Sequence, residues 1–207
     1  MTWLAVISNG PSARTTAPRV LEGHPQIVVT VNHLAADYPC DYWVMSDWWP
    51  FTNTTPLPRD GRQPTIFGRR AWVREMDAPH VGRWQAWPQM YLEDIAPAMP
   101  APDSPDLPLQ RHRHGTSLGL AAWDGFSGRA ALGVAYWLCR REQCDRAGCR
   151  ALDVVLCGYD MAGGGGAHDE DAGRANRTDR RWVEERLIFE WFLRAFQSAG
   201  ISVAKLD

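Results

Sequence analysis

The sequence predicts a three-layer α/β fold around a mostly parallel sheet, and three observations carry that prediction. Short β-branched runs such as 26–31 (QIVVTV) and 152–157 (LDVVLC) are almost wholly apolar, as strands covered by helices on both faces must be. Segments of helical periodicity alternate with these runs. Three early runs end at small polar residues, Asn9, Asn32 and Asp47, which a parallel sheet gathers at its carboxyl edge, where open α/β sheets bind ligands.

Taken in order, residues 2–8 (TWLAVIS) read as the first strand. Asn9, Gly10, Pro11 and Ser12 then break it, and Ser12 is a candidate cap for a short helix weakened by Pro18. Residues 26–31 and 42–46 (YWVMS) are the second and third strands. From 50 to 108 the chain carries 11 of its 15 prolines, which excludes long helices, and only 64–68 (PTIFG) and 71–73 resemble strand fragments. Residues 48–124 are therefore expected to be a Pro/Trp-rich irregular insert, either a surface loop or a lid over the crevice, with 98–108 a flexible segment. Order resumes with a helix at 127–140, whose apolar residues at 130, 131, 134, 135 and 138 form one face and which Ser127 is placed to cap. A strand at 152–157, a glycine run at 163–166, a helix from 178 or 179 to about 198 capped by Gly200, and a closing strand at 201–206 complete a Rossmann-like pattern.

With 207 residues, 45% apolar and 22% charged, the chain is expected to be one domain, 1–207, with the insert inside it. A net charge of -2 gives no general electrostatic case for binding nucleic acid. No apolar run approaches the ~20 residues of a membrane span. Five cysteines without an even framework and a start that runs straight into an apolar strand point to a cytoplasmic protein. Lys205 is the sole lysine. That excludes a Walker-type lysine loop, and the glycine spacing of a dinucleotide fingerprint is absent as well. The turn at Asn9, Gly10, Pro11 and Ser12 offers instead backbone N–H groups and a hydroxyl at a helix N-terminus, a chemistry suited to phosphate.

The ordered blocks ISNGPS, VTVN, CDYWVMSD, FSGRAALGVA and DVVLCGYDM resemble those of two related groups. One is the bacterial sialyltransferases of lipooligosaccharide synthesis; the other is the archaeal 6-hydroxymethylpterin diphosphokinase-like family. The resemblance covers roughly 3–47 and 125–207 and implies a nucleotide-dependent transferase. Its donor would be a nucleotide-sugar, as in a glycosyltransferase-like enzyme, or ATP, as in a diphosphokinase. A non-catalytic nucleotide-binding module is the remaining alternative. The resemblance places Asn9, Gly10 and Ser12 on the nucleotide or its phosphates, Asn32 on the nucleotide, Ser127 and Gly128 at base or ribose, and Gly158, Tyr159 and Asp160 along the same crevice. Arg, Tyr hydroxyls, backbone N–H groups or Mg²⁺ would neutralise phosphate charge as the bond breaks. The sialyltransferase histidine ahead of the last helix is replaced here by 176–179 (NRTD), so His168, with Asp160 and Tyr159, stands as the catalytic candidate. The family's tyrosine after its G-I-D-F block is replaced by Met161 and Ala162.

Other clusters carry two readings each. His168, Asp169, Glu170 and Asp171 are either a solvated loop or a mobile base with Mg²⁺-binding carboxylates. Cys139, Cys144 and Cys149 are free thiols or, with a fourth ligand, a zinc site, although their spacing is not that of a zinc motif. Residues 111–114 (RHRH) are a solvated turn or an anion-binding segment, and Trp48 and Trp49 pack in the core or stack on a ligand.

Overall fold

The structure is a computed structural model that describes residues 2–111, 117–145, 152–160 and 179–206. Its strands are β1 (Trp3–Ile7), β2 (Ile27–Val31), β3 (Tyr42–Val44), β4 (Thr65–Gly68), β5 (Gln89–Tyr91), β6 (Leu109–Arg111), β7 (Ser117–Ala121), β8 (Asp153–Cys157) and β9 (Val203–Leu206). Its α-helices are α1 (Ala13–Glu22), α2 (Trp49–Asn53), α3 (Arg70–Val73), α4 (Ala78–Gln85), α5 (Leu92–Ile95), α6 (Ser127–Asp145) and α7 (Asp179–Ser198). Seven strands form one sheet in the order β5-β4-β3-β2-β1-β8-β9, and every pairing in it is parallel. Helices flank this sheet in a three-layer, Rossmann-like α/β arrangement. β6 and β7 pair antiparallel as a separate ribbon.

Strand order runs outward from β1 through β5 in one direction and through β8 and β9 in the other, so the topological switch point lies between β1 and β8. The apolar runs explain this centre. Residues Leu4, Ala5, Val6, Ile7, Val154 and Leu156 are wholly buried, as strands covered on both faces require. α1 packs on β1 and β8, while α6 packs on β1, β2, β3 and α7. Pro18 does not end α1: it forgoes one backbone N–H in the sixth position, while Ala13, Thr16, Ala17 and Val20 stay buried.

The sheet continues into the Pro/Trp-rich stretch. The expected fragment at 64–68 is β4, and β5, which the sequence does not announce, pairs beyond it at the edge. Residues 71–73, expected as a strand, are helical, because Glu93 accepts the Arg70 N–H at 3.0 and 3.1 Å and so supplies a first turn. Residues 98–108 have little regular structure, yet they are fastened to α7: the Trp191 indole donates to Ala101 O at 3.2 Å, and Arg194 holds both Asp103 oxygens at 2.8 and 3.0 Å. The flexible segment expected there borrows its order from the helix beneath it. Trp43, Trp84, Trp123 and Trp191 are fully buried in the core. α7 closes as expected, with Gly200 at φ 71° and Ile201 N–H donating to Phe196 O. Among the described residues, no helix is long and apolar enough to cross a membrane.

Candidate functional site

The carboxyl ends of β1 and β8 are knitted together by backbone contact that only glycine allows. Ser8 N–H donates to Cys157 O at 2.9 Å and Gly10 N–H to Gly158 O at 2.8 Å. A Cβ on Gly10 would overlap the Gly158 carbonyl and the Asp160 carboxylate. Gly158 itself sits at φ 71°, where a Cβ would overlap Ser8 O and come within 2.9 Å of the Ala13 Cβ. Two of the sequence-derived site residues, Gly10 and Gly158, are therefore first of all the hinge pins that close β1 onto β8.

Ser12 does not act as a side-chain cap. It adopts helical backbone angles and its hydroxyl makes no cap bond to α1. Its backbone N–H donates instead to Asp160 Oδ2 at 3.0 Å, so a carboxylate from the far side of the switch point holds the α1 N-terminus. An anion already occupies the position proposed for a phosphate. Pro11 is exposed at the crest of the loop. The Asn9 Oδ1 and Ser12 Oγ atoms, in contrast, are buried and have no hydrogen-bond partner among the described residues. Buried polar atoms left this way in a loop between strand end and helix start are the positions a bound polar ligand satisfies.

α6 brings the second half of the site. Ser127 opens it: the Ser127 hydroxyl accepts Ser46 N–H at 2.9 Å and donates to Asn32 Oδ1 at 2.7 Å, fastening α6 to the ends of β2 and β3. Asn32 is held at φ 46°, and its carbonyl accepts the Trp43 indole N–H at 2.7 Å, so this strained residue is fixed from both ends. Gly128 lies against β1: a Cβ there would come within 2.9 Å of Ser8 Oγ. The N-termini of α1 and α6 thus converge beside the carboxyl ends of β1, β2, β3 and β8.

Two sequence-derived assignments change. Tyr159 is not placed for proton transfer, because its ring is buried and stacked 5.6 Å from Phe189 and its hydroxyl donates to Gly128 O at 2.8 Å. Burial drives its phenol far above the ordinary value, with a Ser8 hydrogen bond opposing the shift, so it stays protonated. Asp47 is exposed past the end of β3, and the residue that meets α6 is Ser46. Ser8 and Ser46 are the contributors that sequence reasoning missed; the signal was a serine just beyond each apolar run, in IS and MS. His168, the glycine run and residues 169–178 lie outside the described residues.

The remaining clusters resolve in part. Cys139 is buried and its Sγ donates to Leu152 O at 3.8 Å, and the side chains of Cys144 and Cys149 lie outside the described residues. No cluster of three potential metal ligands occurs among the described residues. The side chains of 111–114 also lie outside them. Trp49 packs 4.8 Å from the His33 ring, and Trp48 packs edge-on to His80.

A second concavity lies at the same carboxyl edge, beyond β4 and β5. This cleft of about 770 Å³ is bounded by Arg69 just after β4, by the turn after α5, by the β6–β7 ribbon and by Asp124. Asp124 is buried; it accepts Arg69 Nη2 at 3.0 Å on one oxygen and Gln110 Nε2 at 2.7 Å on the other. Comparison with protein-family models, with curated proteins and with solved structures finds no match to this chain.

Proposed function

We propose that the chain is a nucleotide-dependent transferase whose donor sits at the switch point between β1 and β8. The single observation that carries this reading is the loop at Asn9, Gly10, Pro11 and Ser12, where two buried side-chain oxygens have no partner among the described residues, beside two converging helix N-termini. Asn32 and Ser127 form the opposite wall, tied to each other at 2.7 Å and thereby preorganised for a base or ribose. The block resemblance supports a glycosyl group from a nucleotide-sugar as the cargo.

One observation favours the second reading, diphosphate transfer from ATP. The Asp160 carboxylate at the Ser12 N–H repels a bare phosphate. Mg²⁺ commonly binds through one or two carboxylates plus the substrate's phosphates, and Asp160 supplies one in the right place. Bound there, the ion would neutralise charge developing on the phosphoryl oxygens. Asp160 is then a metal-holding and loop-positioning residue, and Tyr159 a structural support for the α6 N-terminus.

Melting curves with CMP, CDP, UDP, GDP and ATP, each with and without Mg²⁺, test the reading. Stabilisation by CMP or UDP without metal dependence supports glycosyl transfer, and Mg²⁺-dependent stabilisation by ATP supports the diphosphokinase. Absence of any shift across the panel refutes nucleotide binding.

A further inference from the structure

The 770 Å³ cleft beyond β4 and β5 has a size typical of small-molecule sites and is separate in residues from the β1–β8 crevice. Its polar groups gather at one end. The Asp124 oxygens each already accept a bond, from Arg69 and from Gln110, and both Glu93 oxygens accept the Arg70 N–H. Arg69 differs from them. Its guanidinium carries five N–H donors, and the bond to Asp124 is the one it makes among the described residues. The Arg69 side chain is 36% exposed. Its orientation is set by a buried carboxylate, while most of its donor fork stays open to the cleft. A second, buried guanidinium, Arg129, lies 2.8 Å from where a Cβ on Gly125, a residue of the cleft wall, would stand.

The rest of the wall is apolar. Leu109, Leu120, Ala122 and Pro97 line it, and Leu120 leaves 38% of its surface in water at the end of a ribbon strand. An arginine fork pre-aimed by a buried partner suits a planar carboxylate, and the adjoining apolar wall suits a hydrocarbon body.

We propose that this cleft binds a small amphipathic carboxylate, its head on Arg69 and its apolar body along Leu109 and Leu120. This goes beyond the nucleotide reading and does not depend on it.

The test uses octanoate as probe, with acetate and 1-octanol as controls for head and body, followed by titration calorimetry and methyl NMR on the full chain. Octanoate is expected to bind and to shift the Leu109 and Leu120 methyl signals. Each control is expected to bind about tenfold more weakly or less. Arg69→Lys keeps a charge for Asp124 but loses the fork, and Leu120→Glu alters an exposed side chain while adding like charge to the wall; each should cut octanoate affinity about tenfold. Unchanged melting temperatures would show that both variants fold. Octanoate that fails to bind the natural chain, binds no better than octanol, or binds both folded variants undiminished overturns the proposal. Nucleotide-induced stabilisation should persist in Leu120→Glu, so failure of this site and failure of the β1–β8 site are read separately.

Discussion

Replacing Asp160 by asparagine separates the two things its side chain does at the β1 loop. Asparagine retains an oxygen that can accept the Ser12 N–H now bonded at 3.0 Å, so the start of α1 should keep its geometry. What disappears is the negative charge. A phosphate that reached the same N–H would lie about 4 Å from the carboxylate, where two unit charges repel by ~1 kcal/mol in bulk water and ~4 kcal/mol at the effective dielectric of a protein surface. Asp160 is half-buried, between those limits. A gain of ~1.5–3 kcal/mol for a metal-free nucleotide corresponds to roughly ten- to hundredfold in affinity. Titration calorimetry with ATP and UDP, in EDTA and then in Mg²⁺, reads this directly. The variant should bind the metal-free nucleotide more tightly and lose most of the Mg²⁺-dependent gain. Identical affinities for variant and natural chain under both conditions would mean that the phosphates do not approach Asp160, and the placement of the donor at this loop would fall.

Other outcomes follow from the same geometry. Ser127→Ala strips the acceptor from the buried Ser46 N–H and the donor from Asn32 Oδ1, so it should cost ~2–3 kcal/mol and lower the melting temperature by roughly 4–12 °C; a loss below about 1 °C would contradict it. Gly158→Ala combines a left-handed backbone with overlap on Ser8 O and should cost ~3–5 kcal/mol, measured by urea unfolding, whereas a stable variant would mean that β1 and β8 do not approach this closely. Arg83 donates to Phe51 O and Thr54 O, both at 2.6 Å, and Arg83→Met should lose ~2–4 kcal/mol through those two carbonyls; full retention of stability would refute the assignment. Burial pushes the Cys40 and Cys157 thiols from the ordinary 9.0 up to about 12 and about 11. The folded chain therefore favours their neutral form, and the stability they contribute is complete below pH 9 and declines as pH climbs through 9 toward 11 and 12. Urea midpoints should fall across pH 8.5–10.5, and less steeply in Cys157→Ala; a midpoint that rises with pH would contradict the sign.

The central strands were legible because burial on both faces leaves its mark in composition. Residues 3–7, 27–31 and 153–157 carry few polar atoms outside the backbone. The edge of the sheet was not legible. β5 is three residues, QMY, half-exposed, and it pairs through one neighbour, so neither period nor composition marks it. Helix α3 reads as a strand fragment in the sequence because its cap, Glu93, comes from 23 positions away and no local pattern encodes that. At the candidate site, Asn9 and Asn32 were readable as strand-end residues, whereas Ser8 and Ser46 were not, and Asp47 is exposed. What each atom does was not readable either. Ser12 looks like a cap in sequence, and only the fold shows that Asp160 holds the Ser12 N–H while the Ser12 hydroxyl has no partner among the described residues. Tyr159 looks catalytic beside Asp160, yet beyond the left-handed turn at Gly158 its ring is buried in the core against Phe189.

The contact between Ser12 and Asp160 joins residues 148 positions apart. On a ribosome adding roughly 5–20 residues per second, β1 waits on the order of ten to thirty seconds after it emerges before β8 exists to flank it. During that interval β1 presents an uncovered apolar edge, the kind that recruits other strands. Synthesis of this chain should consequently be more sensitive to holding chaperones, and to slow codons between residues 50 and 150, than its finished stability would suggest.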